Sequence, residues 1–225
     1  MNNYMKLIGI RAREVSKYKI STKTKNKVLS YYAKLLNKEK KFIISQNFKD
    51  IEFAKKKRLN GNLISRLQLS EKKIDEIRNS VIKIAKLKDP VDVILDNWKR
   101  PNGLKISRVT IPIGVIGVIY ESRPNVTSDV ASLCFKSGNV VILKGGSEAI
   151  NTNRALSKLF RESLKKNKID KNFVQFIDSK ERKLVDIMLS KMKDYVDIIV
   201  PRGGKNLVKK VQEFSKVPII GHLEL

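Results

Sequence analysis

Three short segments carry residue types suited to anion and carbonyl chemistry: Ser122-Arg123-Pro124-Asn125, Lys144-Gly145-Gly146-Ser147 and Pro201-Arg202-Gly203-Gly204. In the first, Pro124 fixes φ and removes a backbone donor, so the loop is stiff. Asn125 then offers an amide that can donate to an oxygen on which negative charge develops. Asn125, Thr127, Ser128 and Asp129 all favour helix starts, however, and the local pattern alone favours capping. In the second segment two glycines let the backbone approach a phosphate or ribose, and Lys144 supplies positive charge. A plain strand-to-helix turn capped by Ser147 is the competing reading. The third segment repeats the glycine pair, and two such pairs are harder to dismiss than one. Neither G-x-x-x-x-G-K nor G-x-G-x-x-G occurs, so no standard nucleotide fingerprint is present.

Each segment closes an apolar run. Strands are expected over Gly114 to Tyr120, Val140 to Leu143, Phe173 to Ile177, Asp197 to Val200 and Val217 to Ile220. Helices are expected over Thr127 to Lys136, Ala149 to Lys166, Glu181 to Met192 and Asn206 to Ser215. Crossovers of that length return the chain parallel to the preceding strand, which predicts an α/β fold with a Rossmann-type parallel sheet covered by helices. The three segments then meet at the carboxyl edge of the sheet, where helix N-termini face anions.

The first hundred residues read as a helical region with little chemistry. Ser21 and Thr22 cap a helix bearing Val28, Tyr32, Leu35 and Phe42. Ser70 opens another with Ile74, Ile77, Val81 and Ile84 on one face, and Asp89-Pro90 ends it. WKRPNG, from Trp98 to Gly103, is a polar turn, after which Leu104, Ile106 and Val109 resume as a strand. A boundary is expected there, between a helical region (1–100) and an α/β domain (101–225).

The 225 residues suffice for a substantial core, and the formal net charge is +26. A surface this basic attracts nucleic acid or other anions through its field. The excess is carried by 36 lysines against 12 arginines, however, and it is interspersed with acids along solvated helix faces. Nucleic-acid surfaces add arginine forks and stacking aromatics, so the charge is read as solubility, with a basic nucleic-acid or anion-binding module as the alternative function. The single cysteine, Cys134, excludes an internal disulfide and argues for a reducing, cytoplasmic setting. No apolar stretch is long enough for a membrane span or a signal peptide. Cys134 shares a helical stripe with Val130, Ala131 and Phe135 and reads as packing. His222, the lone histidine, has no ligand partner at metal spacing. No triad or general base stands out.

The run PIGVIGVIYESRPNVTSDVASLCFKSGNVVILKGGSEAINTN resembles the signature of gamma-glutamyl phosphate reductases, members of the aldehyde dehydrogenase superfamily. RAREVSKYKISTKTKN, KLKDPV, YVDIIVPRGGKNLV and VPII follow that family in order and spacing, so the resemblance covers essentially the whole chain. It implies reduction of L-glutamate 5-phosphate by NADPH to L-glutamate 5-semialdehyde, a glutamate-5-semialdehyde dehydrogenase of proline synthesis. By the same resemblance Asn125, behind Arg123-Pro124, matches the oxyanion-stabilising Asn. Lys144, with Gly145 and Gly146 behind it, matches the lysine on the adenosine ribose. Ser147 replaces the acidic residue with which NAD-preferring relatives hold the 2′-hydroxyl, which favours NADPH. Gly203 and Gly204, behind Arg202, match the turn beside the nicotinamide. A homo-oligomer and glutamate 5-kinase are the implied partners. The family's nucleophilic cysteine lies beyond the cofactor domain, and Cys134 does not match it. The chain is therefore expected to be an N-terminal portion, inactive by itself.

Overall fold

The computed structural model describes residues 2–121 and 123–221, which leaves Ser122 and His222 outside. Five helices come first: α1 (Asn3–Ser16), α2 (Thr22–Lys38), α3 (Lys40–Lys56), α4 (Gly61–Leu67) and α5 (Glu71–Lys86). Ser21 and Ser70 cap α2 and α5 by accepting from Thr24 N and Lys73 N. Ile74, Ile77, Val81 and Ile84 of α5 are buried as the spacing predicts. The helix expected to carry Phe42 together with Val28 breaks at Glu39, and Phe42 lies on α3, 37% exposed. Ile43 takes the buried position instead. No Pro or Gly marks that break; α2 packs chiefly on α5 and α7 while α3 turns mainly toward α7, so tertiary contacts override local propensity.

An antiparallel hairpin follows, β1 (Ile94–Lys99) and β2 (Lys105–Val109), with Trp98 paired to Ile106. Its turn holds the Pro-Asn-Gly sequence, and Gly103 adopts φ +89°. Trp98 and Lys99, read from sequence as part of the turn, belong to β1. Residue 100 falls in this turn. One continuous apolar core joins Met5, Leu29 and Ile74 of the first helices to Val118, Ile142 and Phe160 of the segment that follows.

That segment alternates β3 (Val115–Tyr120), α6 (Asn125–Lys136), β4 (Val140–Gly145), α7 (Ile150–Lys166), β5 (Val174–Phe176), α8 (Lys183–Lys191), β6 (Ile198–Arg202) and α9 (Lys205–Phe214). The four strands form a parallel sheet in the order β5-β4-β3-β6. Strands β3 and β4 are buried at every position, as expected of strands covered on both faces. The expected fifth strand, Val217 to Ile220, reduces to a single parallel bridge between Ile199 and Ile219. Pro218 accounts for this: it accepts from Ile199 N through its carbonyl but has no N–H to extend a ladder.

Candidate functional site

Register decides which loops meet. Tyr120, the last residue of β3, pairs with Gly145 of β4 and with Arg202 of β6. The segments after Tyr120, Gly145 and Arg202 therefore leave the sheet at one edge, as the sequence predicts.

After β3 the chain turns through Glu121 and Arg123 to Pro124, which is buried and precedes α6 with φ −57° and ψ −32°. Asn125 opens the helix, exposed, and its Nδ2 donates to Asp129 Oδ2 at 3.1 Å. The N-cap position of α6 falls on Pro124, which makes no side-chain capping hydrogen bond, and Asn125, Thr127 and Ser128 lie within the helix rather than before it. Thr127 and Ser128 turn inward instead. Tyr120 Oη and Thr127 Oγ1 lie 2.7 Å apart, Thr127 Oγ1 donates to Asn153 Oδ1 at 2.9 Å, and Ser128 Oγ meets Tyr32 Oη at 2.6 Å. Sheet residues and helix α2 thus compete successfully for hydroxyls that local pattern assigns to the helix end.

Lys144 and Gly145 belong to β4, whose ladder runs further than the apolar run that announces it. Lys144 is 4% exposed, and its Nζ donates to Gly145 O at 3.0 Å and to Ser179 O at 3.1 Å, bracing the end of β4 to the loop after β5. Burial pushes its pKa below the ordinary lysine value, while the Glu148 carboxylate acts in the opposite sense. A Cβ on Gly145 would collide with Asn153 Nδ2 and come within 3.0 Å of the Tyr120 ring, so the backbone comes this close because no side chain is there. Ser147 does not cap α7. It begins a 3-10 turn, Ser147–Ala149, with its Oγ 3.5 Å from Glu148 Oε2. The α7 N-terminus is satisfied by Asp50 of α3, 1% exposed, whose carboxylate accepts from Thr152 N at 2.8 Å and Asn151 N at 3.1 Å.

At the end of β6, Gly204 precedes α9 with no side-chain cap of its own, and its N–H donates to Glu121 Oε2 at 2.9 Å. A Cβ on Gly203 would lie 2.7 Å from that carboxylate oxygen and 2.8 Å from Leu207. Around this point opens a cleft of about 650 Å³ lined by Arg66, Glu121, Arg123, Arg202, Gly203, Gly204 and Lys205, among others. The structure thus gathers Arg123, Arg202, Gly203 and Gly204 in one cleft. Lys144, Gly145, Gly146 and Ser147 leave the same sheet edge one strand over and do not line it.

Over 222 residues the chain is 41% identical to gamma-glutamyl phosphate reductase of Clostridium tetani, an alignment spanning 98% of this chain and 52% of that protein. It superposes on the crystal structure of gamma-glutamyl phosphate reductase from Thermotoga maritima with a TM-score of 0.92 at 38% identity, over 96% of this chain and 52% of that one. Over nearly its whole length the chain is similar to gamma-glutamyl phosphate reductases. It spans about half the length of the curated relatives it matches. A probable aldehyde dehydrogenase of Listeria monocytogenes, 15% identical with a TM-score of 0.70 over 97% of this chain and 45% of that one, shares the fold. No protein-family model matches the chain.

Cys134 packs on the buried side of α6. It is 8% exposed, and burial pushes its thiol up to about 12. Among the described residues no cluster of His, Cys, Asp or Glu is arranged for a metal, and no helix is long and apolar enough to cross a membrane. Sequence reading missed Asp50 and Glu121. Asp50 lies 102 residues from the Thr152 it holds, so no local signal marks it. Glu121 directly follows β3, and its polar type at the end of that apolar run is a signal the sequence does carry.

Proposed function

We propose that this chain forms the cofactor-binding portion of an enzyme that reduces L-glutamate 5-phosphate with NADPH to L-glutamate 5-semialdehyde and phosphate, the second step of proline synthesis from glutamate. The observation that carries the reading is the shared register of β3, β4 and β6, which delivers Arg123, Lys144 and Gly203 to one sheet edge. The residues fit a dinucleotide. Gly203 leaves the backbone bare where a side chain would intrude, and the N-terminus of α9 offers N–H groups and positive potential, reinforced by Arg202 and Lys205, to a diphosphate. Lys144, with Gly145, Gly146 and Ser147 beside it, marks the adenosine ribose. The nicotinamide, when bound, supplies the hydride.

Arg123 and Pro124 set the entry to α6, and Asn125 presents its amide to the oxygen of the acyl group once it leaves Asp129. A thiolate must displace phosphate from the acyl carbon. Cys134, the sole cysteine, is packed away, so the 225-residue chain alone is inert toward the substrate. A reducing cytoplasmic setting belongs to the same reading, supported by that one unpaired cysteine. So do a homo-oligomer, with glutamate 5-kinase as a further partner. The hairpin supports the oligomer by leaving Ile94, Leu95, Trp98 and Leu104 exposed.

Fluorescence titration of the chain with NADPH tests the reading. Binding is expected to weaken about tenfold in Lys144→Ala, the loss of one charge-assisted contact. Absence of binding, or binding indifferent to Lys144, overturns it.

A further inference from the structure

We propose that Lys180 is the residue that selects a 2′-phosphorylated dinucleotide. The inference rests on the reading that Lys144 marks the adenosine ribose, and it names the group that reads the ribose 2′ position. Ser147 lacks a carboxylate, yet Glu148 restores one beside it: its carboxylate fills the space a Cβ on Gly146 would need and lies 3.5 Å from Ser147 Oγ. A ribose at Lys144 therefore meets an acidic side chain, which accepts from a 2′-hydroxyl and repels a 2′-phosphate. Absence of an acid at position 147 does not by itself favour NADPH, and a cation must outweigh Glu148.

Lys144 is poorly placed to be that cation. It is 4% exposed and spends two N–H groups on Gly145 O and Ser179 O. Arg154 is committed as well, clamping Asp178 through two contacts of 2.6 Å. The same two braces fix the loop after β5, Asp178 by Arg154 and Ser179 by Lys144, so the residue that follows is delivered to the ribose side. That residue is Lys180. It is exposed, and its Nζ rests 4.2 Å from the centroid of the Phe53 ring on α3. Phe53 lies one helical turn beyond Asp50, which holds the start of α7, so α3 positions both neighbours of the ribose loop. An exposed cation resting on an aromatic face is weakly held and exchanges readily for a doubly charged phosphate.

The test compares NADPH and NADH affinities of the 225-residue chain and of Lys180→Met by fluorescence titration at fixed ionic strength, with melting curves as a folding control. Expected is a dissociation constant for NADPH about tenfold higher in the variant, with NADH unchanged and the melting temperature preserved. Equal losses for both cofactors, or no loss for NADPH, overturn the role of Lys180 while leaving the ribose at Lys144. A wild-type chain that favours NADH overturns it too. A wild-type chain that binds neither cofactor instead removes the reading on which the inference rests.

Discussion

Asp50 caps a helix that is not its own: its Oδ2 accepts from both the backbone N and the Oγ1 of Thr152, at 2.8 and 2.7 Å, while Oδ1 takes Asn151 N and Nδ2. A buried carboxylate here satisfies N–H groups at the start of α7 and sits at the positive end of its dipole. Asp50→Ala leaves those donors unpaired in a dry site and is expected to cost about 3 kcal/mol. Asp50→Asn keeps one acceptor and should lose about half as much. Urea denaturation of the two variants checks the order, and an Ala variant as stable as wild type refutes the cap. Added formate should recover part of the loss in Asp50→Ala by entering the vacated cap.

Gly145 and Gly204 look alike in sequence but stand in different surroundings. At Gly145 an alanine methyl meets the buried amide of Asn153 and the Tyr120 ring, neither of which has room to retreat. Gly145→Ala is expected to destabilise the chain by about 2 kcal/mol, the range of an overpacked core. At Gly204 the nearest atom lies 3.8 Å away, an ordinary contact, and Gly204→Ala should shift stability by less than about 0.5 kcal/mol. Thermal melts of both variants decide the matter. Equal effects would show that the contacts around Gly145 do not set the outcome.

The sheet edge was legible in the sequence because its strands are buried on both faces. Val115 to Tyr120 and Val140 to Leu143 read as continuous apolar runs, and the glycine pairs come just after Val140 to Leu143 and after Asp197 to Val200. What was illegible came from partners distant in sequence. The hydroxyls of Thr127 and Ser128 are drawn inward by Tyr120 and Tyr32, and Asp50 replaces the cap expected from Ser147. The break at Glu39 has the same origin, for it depends on which surface the next element must reach, whereas the truncated strand at Pro218 has a local cause, the N–H that proline lacks. Lys144 was found by type and position, but its burial beneath Ser179 needed the fold.

Cys134 gives a pH dependence with a definite sign. Burial raises its folded pKa from 9.0 to about 12, so the folded state retains a proton that the unfolded chain has lost between those values. The resulting stabilisation is complete below about pH 9 and declines as pH rises toward 12, at up to about 1.4 kcal/mol per unit. In Cys134→Ala that component of alkaline destabilisation disappears, which urea melts at successive pH values measure. The native thiol should also resist iodoacetamide at pH 8 and react only at the rate of unfolding. Rapid native-state alkylation would mean that the α6 stripe opens far more readily than its packing allows.

The charge of +26 invites nucleic acid, and salt separates that attraction from cofactor recognition. Oligonucleotide binding driven by scattered lysines releases one counterion per phosphate neutralised, so its affinity must fall steeply as salt rises. A dinucleotide held by Gly203, the start of α9 and Lys144 engages fewer basic side chains than an oligonucleotide, so its affinity should fall less steeply between about 50 and 200 mM salt. Titrations of NADPH and of an unrelated oligonucleotide over that range are expected to diverge, with Lys144→Ala affecting only the first. A steep salt slope for both ligands, with no response to Lys144, would instead make the basic faces of α2 and α7 the binding surface.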